Sequence, residues 1–168
     1  MMTEHNPSFY LKDPSTRGAN WKLLYYHPNG SAGRPAIKID ILLPGSAEIP
    51  FFDPDWINYS HNRGFPAAPL LLVLLHKTLG WSRRFNSPDY HQYKKHWRDA
   101  GDVAKLLELS SQMGVTIVDD ILPDTFIDNA STWVSEFMAQ YPRTEIRSHW
   151  RKIGFRKSAR GTMILATR

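Results

Sequence analysis

The chain has 168 residues, 42% of them hydrophobic and 22% charged, an ordinary balance for one globular domain with a sizeable core. It holds no cysteine, which excludes disulfides, thiolate metal sites and cysteine nucleophiles and suits a reducing compartment. The net charge of +5 is unevenly placed: Arg143 to Arg168 carries eight basic groups against Glu145 (+7), and the rest carries 13 basic against 15 acidic groups (−2).

The start, "MMTEHNPSFY", lacks the basic and apolar regions of a signal peptide. The longest apolar run, "AAPLLLVLL", is far short of the roughly 20 residues a membrane-spanning helix needs. These features predict a cytoplasmic protein without a membrane segment, and a single domain over 1–168. Residues 1–20 read as polar, with turn signals in "DPSTRGAN". "WKLLYYH" (21–27) and "AIKIDILLP" (36–44), joined by the turn "PNGSAGRP", predict an antiparallel hairpin. Alternation puts Ile37, Ile39 and Ile41 on one strand face and Lys38, Asp40 and Leu42 on the other. A carboxylate in so apolar a strand is costly unless its face is wet, paired or bound to a cation, so Asp40 is a candidate site residue.

Residues 46–66 read as an irregular connection. "APLLLVLLHKTLGW" predicts a buried helix opening at Pro69 and ending at Gly80 as its C′ residue. Lys77 continues the apolar row of Leu70, Val73 and Leu74, so it either snorkels or aims its ammonium at an anion. "SRRFNSPDYHQYKKHWR" (82–98) predicts a mobile loop or short irregular helix. It mixes Phe85, Tyr90, Tyr93 and Trp97 with five cations, a combination that suits stacked bases or core-covering rings alike. "DAGDVAKLLELSSQMG" (99–114) predicts a helix capped by Asp99 and ended by Gly114, with Asp102 as a first-turn acid. "VTIVDDILP" fits a short strand or the lead into a helix. "ASTWVSEFMAQYP" (130–142) predicts an amphipathic helix presenting Trp133, Val134, Phe137, Met138 and Tyr141, stopped by Pro142. "TEIRSHWRKIGF" (144–155) predicts a last helix with Ile146, Trp150 and Ile153 inward and its basic residues outward.

The order predicts an α+β fold: a small antiparallel or mixed sheet from an N-terminal hairpin, with four to five helices packed on it. Residues 143–168 form a basic helix and tail. Arg147, Arg151, Lys152, Arg156 and Lys157 there fit nucleic acid or an acidic partner, or simply a solvated face. The seven histidines match no metal-ligand spacing, and no nucleophile elbow, P-loop or dinucleotide fingerprint occurs.

"KIDILLPG", "IPFFDPDWI", "FPAAPLLLVLLHKTLGW" and "HWRDAGDVAKLLEL", in that order, resemble the body of fungal proteins of the nucleotidyltransferase superfamily, distant relatives of DNA polymerase beta and of toxin-like nucleotidyltransferases. "SFYLKDPSTRGANWKLLYY" is similar to the strand that leads into it, so the likeness spans roughly residues 8 to 112. In that superfamily two divalent metals are held by three carboxylates. The resemblance implies that Asp40 matches the third carboxylate, a metal ligand, that Lys77 matches a helix lysine facing triphosphate, and that Asp99 matches an acid opening the next helix. The D-x-D pair that completes the metal centre lies upstream of this strand in the family, and the chain starts too late to contain it. Asp53-Pro54-Asp55 follows Gly45-Ser46 too closely to replace it, and Pro54 argues against a paired strand. Mg2+ is usually held by one or two carboxylates plus phosphate, so Asp40 serves only if other ligands are supplied. The resemblance therefore implies a degenerate, truncated relative. It would bind a nucleotide, phosphorylated ligand or small molecule in a cleft lined by Asp40, Lys77, Lys38, Trp81, Arg84 and Lys95. Two alternatives stand beside it. One is a re-purposed small-molecule enzyme with Asp40 as acid or base; the other is a non-enzymatic nucleic-acid or protein interaction module using the basic C-terminal helix.

Overall fold

The computed structural model describes residues 7–15, 18, 22–28, 35–41, 43–45, 48–51, 53, 55, 57–59, 66–117, 122–157 and 163–165. They form an α+β protein of two compact units, Met1–Leu43 and Pro44–Arg168.

The first unit is a three-stranded antiparallel sheet of β1 (Phe9–Lys12), β2 (Leu23–Tyr26) and β3 (Ile37–Ile39), in that order. The expected hairpin is present, with Leu24 opposite Ile39 and Tyr26 opposite Ile37. β1 is an addition to the sequence expectation of a polar, turn-rich start. Cross-strand rings hold it: Phe9 lies 5.0 Å from Tyr26, and Tyr10 stacks on Tyr25 at 5.6 Å. β3 ends before Asp40, and Ile37 and Ile41 are exposed rather than turned into a core.

The second unit holds the apolar core. Residues 48–51 close a turn in which the Gly45 amide donates to the Ile49 carbonyl at 2.8 Å. Gly45 has φ +81°, and a Cβ there would meet the Phe51 ring at 2.8 Å, so only glycine fits. Two-residue strands β4 (Asn58–Tyr59) and β5 (Pro66–Ala67) pair antiparallel within the stretch expected to be irregular.

Helix α1 (Leu70–Phe85) outruns its expected end. Gly80 lies inside it, because Trp81 and Ser82 beyond it are buried and hold the last turn on the core. Its buried side is Leu71, Leu72, Leu74, Leu75, Thr78 and Leu79, whereas Val73 is exposed and Leu70 and Lys77 are half-buried. Of the expected row Leu70, Val73, Leu74 and Lys77, only Leu74 is buried, so Leu70, Val73 and Lys77 form the outer edge of α1. Five leucines and a valine over residues 70–75 leave the inward side undecided by pattern alone.

Of the two alternatives for residues 82–98, a mobile loop or a short irregular helix, the structure shows the second, α2 (Tyr90–Tyr93), between the end of α1 and α3 (His96–Gln112). Asp99 is therefore a first-turn residue and not the cap. Gly114 does end α3, at φ +68°, with the Val115 amide returning to the Ser110 carbonyl at 3.0 Å. Helix α4 (Asp124–Gln140) begins six residues before its expected start, with Phe126 and Ile127 buried in the first turn. Of the ambiguous stretch before it, residues 118–121 lie outside the described set, and the Ile117 amide bonds the Ile153 carbonyl at 2.9 Å.

Helix α5 (Thr144–Ile153) starts where expected and ends two residues before its expected end, because Gly154 breaks it, with Trp150 and Ile153 buried and Ile146 half-buried. Within the expected tail, β6 (Phe155–Lys157) pairs antiparallel with β7 (Met163–Leu165). Helix α1 packs on both α3 and α4, and α3 also packs on α5. Trp81 sits among Phe85, Phe137 and Tyr141, and Trp150 meets Phe155 edge-on at 5.5 Å.

Candidate functional site

Two charged constellations emerge in the second unit. The first joins α1 to α3. Lys77 and Arg84 are seven residues apart, two turns along one helix stripe. Asp99, whose side chain is 3% exposed, accepts from Lys77 Nζ at 3.3 Å through one oxygen and from Arg84 through the other. Lys77 also reaches Asp102 at 3.0 Å. Partial burial works to lower the Lys77 pKa, but the hydrogen bonds to Asp102 and Asp99 and their charges outweigh it and hold the ammonium above its ordinary value. The resemblance gathered Lys77 and Arg84 in one expected cleft and marked Asp99 beside them. That Asp99 is the acid both cations share was not readable, because nothing local marks a contact across 22 residues.

The second constellation lies on α5 and β6. Burying Ile146, Trp150 and Ile153 turns Arg147, Ser148, Arg151 and Lys152 to the opposite side of α5. Arg151 and Lys152 fall in the last turn, where the negative helix end favours cations, and Glu145 in the first turn suits the positive end. Gly154, at φ +120°, turns the chain into β6. There Phe155 is buried and Arg156 exposed, as strand alternation requires. Ser148, Arg151, Lys152 and Arg156 line one open depression. Arg147 and Arg151 border a second, whose floor includes Met138, Ala139 and Phe155. Among the described residues none of these four cations has an acidic partner within ion-pair distance. Ser148 escaped the sequence reading, although the 3.6-residue period places it between Arg151 and Lys152. The Lys157 side chain lies outside the described set.

The other predicted site residues have partners of their own. Asp40 and Lys38 belong to the first unit and pair with each other at 2.7 Å, with side chains 67% and 46% exposed. The carboxylate sits in its apolar strand because that edge is wet and a lysine stands two residues away. Trp81 is a core ring with no exposed surface, stacked on Phe85 at 5.1 Å. Lys95 is exposed, and its carbonyl accepts from the Asp99 amide as α3 begins. Asp53 accepts from the Asp55 amide at 2.9 Å, an Asx turn and not a strand pair. Among the described residues no three His, Asp or Glu side chains gather as a metal site. A cavity of another kind lies against the start of α4, lined by Ile49, Phe51, Pro123, Phe126 and Trp133. Its acid, Glu48, is engaged by Arg83. Among the described residues no helix is long and apolar enough to cross a membrane.

Comparison with protein-family models, with curated proteins and with solved structures finds no match for this chain.

Proposed function

We propose that the chain binds nucleic acid through the α5–β6 face. One observation carries the reading: Arg147, Arg151, Lys152 and Arg156 stand exposed beside Ser148 on one surface, without an acidic partner among the described residues. Arginine forks grip phosphate oxygens in pairs, and a serine hydroxyl adds a neutral donor. Binding by four such contacts has a measurable signature. Fluorescence anisotropy on labelled duplex should give a salt slope near −3.6, a loss of on the order of 100-fold in affinity between about 50 and 200 mM salt. The double variant Arg151→Glu, Lys152→Glu should remove most of that affinity and flatten the slope. Unchanged binding by the variant would sink the reading.

A second reading, in keeping with the nucleotidyltransferase-like resemblance, draws on the α1–α3 network. Lys77, Arg84, Asp99 and Asp102 satisfy one another in pairs. A nucleotide arriving with Mg2+ offers phosphate to the two cations and a metal to the two acids, so each group can exchange a partner without being left alone. At a hundredfold excess over Kd, Mg2+-nucleotide should raise the melting temperature by about 5 °C or more. EDTA or Lys77→Ala should cancel that rise. No shift with any of the common nucleotides would dismiss this reading.

A further inference from the structure

The stretch 82–98 mixed aromatic and basic residues without revealing which faced outward. The structure sorts them. Phe85 packs between Trp81 at 5.1 Å and His96 at 5.4 Å and covers the core, and Tyr93, 37% exposed, leans on His96 at 4.5 Å. Tyr90 and Trp97 do not: they are 63% and 61% exposed. Each has a neighbouring support, and Tyr90 also lies 6.2 Å from the His91 ring. Trp97 rests against the buried His96 ring at 4.4 Å, and Lys94 Nζ sits 4.8 Å from the Tyr90 centroid. His96 is itself fixed by the Tyr93 carbonyl, 2.5 Å from its Nδ1, so the support under Trp97 is rigid.

Lys94, Lys95 and Arg98 are exposed alongside, and no acid within ion-pair distance of them occurs among the described residues. The nearby acids are otherwise engaged. Asp89 accepts the His91 amide at 2.8 Å, and Asp99 is buried between Lys77 and Arg84. Large rings exposed beside unneutralised cations are poor packing for a closed surface, yet they match what an unpaired strand presents: flat base faces strung on a phosphate chain.

We infer that Tyr90 and Trp97 form a stacking platform for unpaired bases, with Lys94, Lys95 and Arg98 receiving the adjoining phosphates. The ligand class is single-stranded nucleic acid. A duplex hides its base faces and has nothing to stack there. This rests on the reading of the chain as a nucleic-acid binder and specifies which form of the polymer it selects.

Anisotropy with a short oligothymidylate and with duplex of equal length, on the full chain, tests it. Trp97→Ala should weaken single-strand binding roughly 10-fold and leave duplex binding within about twofold, because each stacked base contributes on that scale. Tyr90→Ala should act in the same direction, and Trp97→Phe, which keeps a ring, should recover most of the loss. Both rings are exposed, so far-UV circular dichroism of the variants should match the parent. Equal single-strand affinity in parent and Trp97→Ala overturns the platform, and the duplex arm then reports whether the α5–β6 reading stands without it. Absence of any binding by the parent overturns both.

Discussion

Asp99 shows how one buried carboxylate can depend on two donors. Lys77 and Arg84 are each more than a third exposed, so removing either lets the other keep Asp99 bonded. Lys77→Ala or Arg84→Ala alone should cost about 1 kcal/mol. Removing both strands a buried charge, so the double variant should cost about 3–5 kcal/mol, well beyond the sum, in a urea double-mutant cycle. An additive result would mean that Asp99 has another partner. The same region sets a pH limit. Lys77 is held above its ordinary pKa, and burial pushes the Tyr141 phenol up, against the opposing pull of the Trp81 indole. Both groups hold their protons more tightly folded than unfolded. Their contribution is complete below about pH 10 and is lost as pH rises through the folded values. The urea midpoint should therefore hold steady up to about pH 10 and fall above it, and Lys77→Met should flatten the fall.

At the scale of elements, legibility followed agreement between signals. Helix α5 could be read to within two residues because its apolar period and the proline before it agree, while Gly154, read as helical, in fact ends it. Helix α1 was cut short because Gly80 looked like a stop, while the buried Trp81 and Ser82 carry the helix past it. A Cβ at Gly80 meets nothing within 4 Å, so Gly80→Ala should stabilise the protein by about 0.5–1 kcal/mol. Gly154 is the opposite case. It has φ +120°, and a Cβ there would lie 2.5 Å from Ile117 Cγ1. Gly154→Ala should cost at least about 1–3 kcal/mol, and thermal melts of the two glycine variants should move in opposite directions. β1 was missed because its support is the pairing of Phe9 with Tyr26 and Tyr10 with Tyr25, which no local pattern announces.

For the whole molecule, the division of labour is uneven. The large buried apolar side chains run from Leu71 to Phe155, all within Pro44–Arg168, whereas the described residues of Met1–Leu43 bury only Ser8. A fragment of residues 44–168 should therefore melt cooperatively and keep the helical circular dichroism of the parent, and a broad, non-cooperative melt would contradict it. The candidate sites were half legible for the same reason. Cations on α5 follow from its period, but Lys77 meeting Asp99, and Trp97 left outward while Phe85 turns in, are decided by packing between helices.

That uneven burial has an optical consequence. Trp81 and Trp150 are sealed in the core, while Trp97 stands in water. Excited together, the sealed indoles emit at shorter wavelength and resist acrylamide, and the outer one emits at longer wavelength and is quenched first. Among the described indoles these three thus make a two-colour gauge, one colour for the integrity of the core and the other for whatever settles on Trp97.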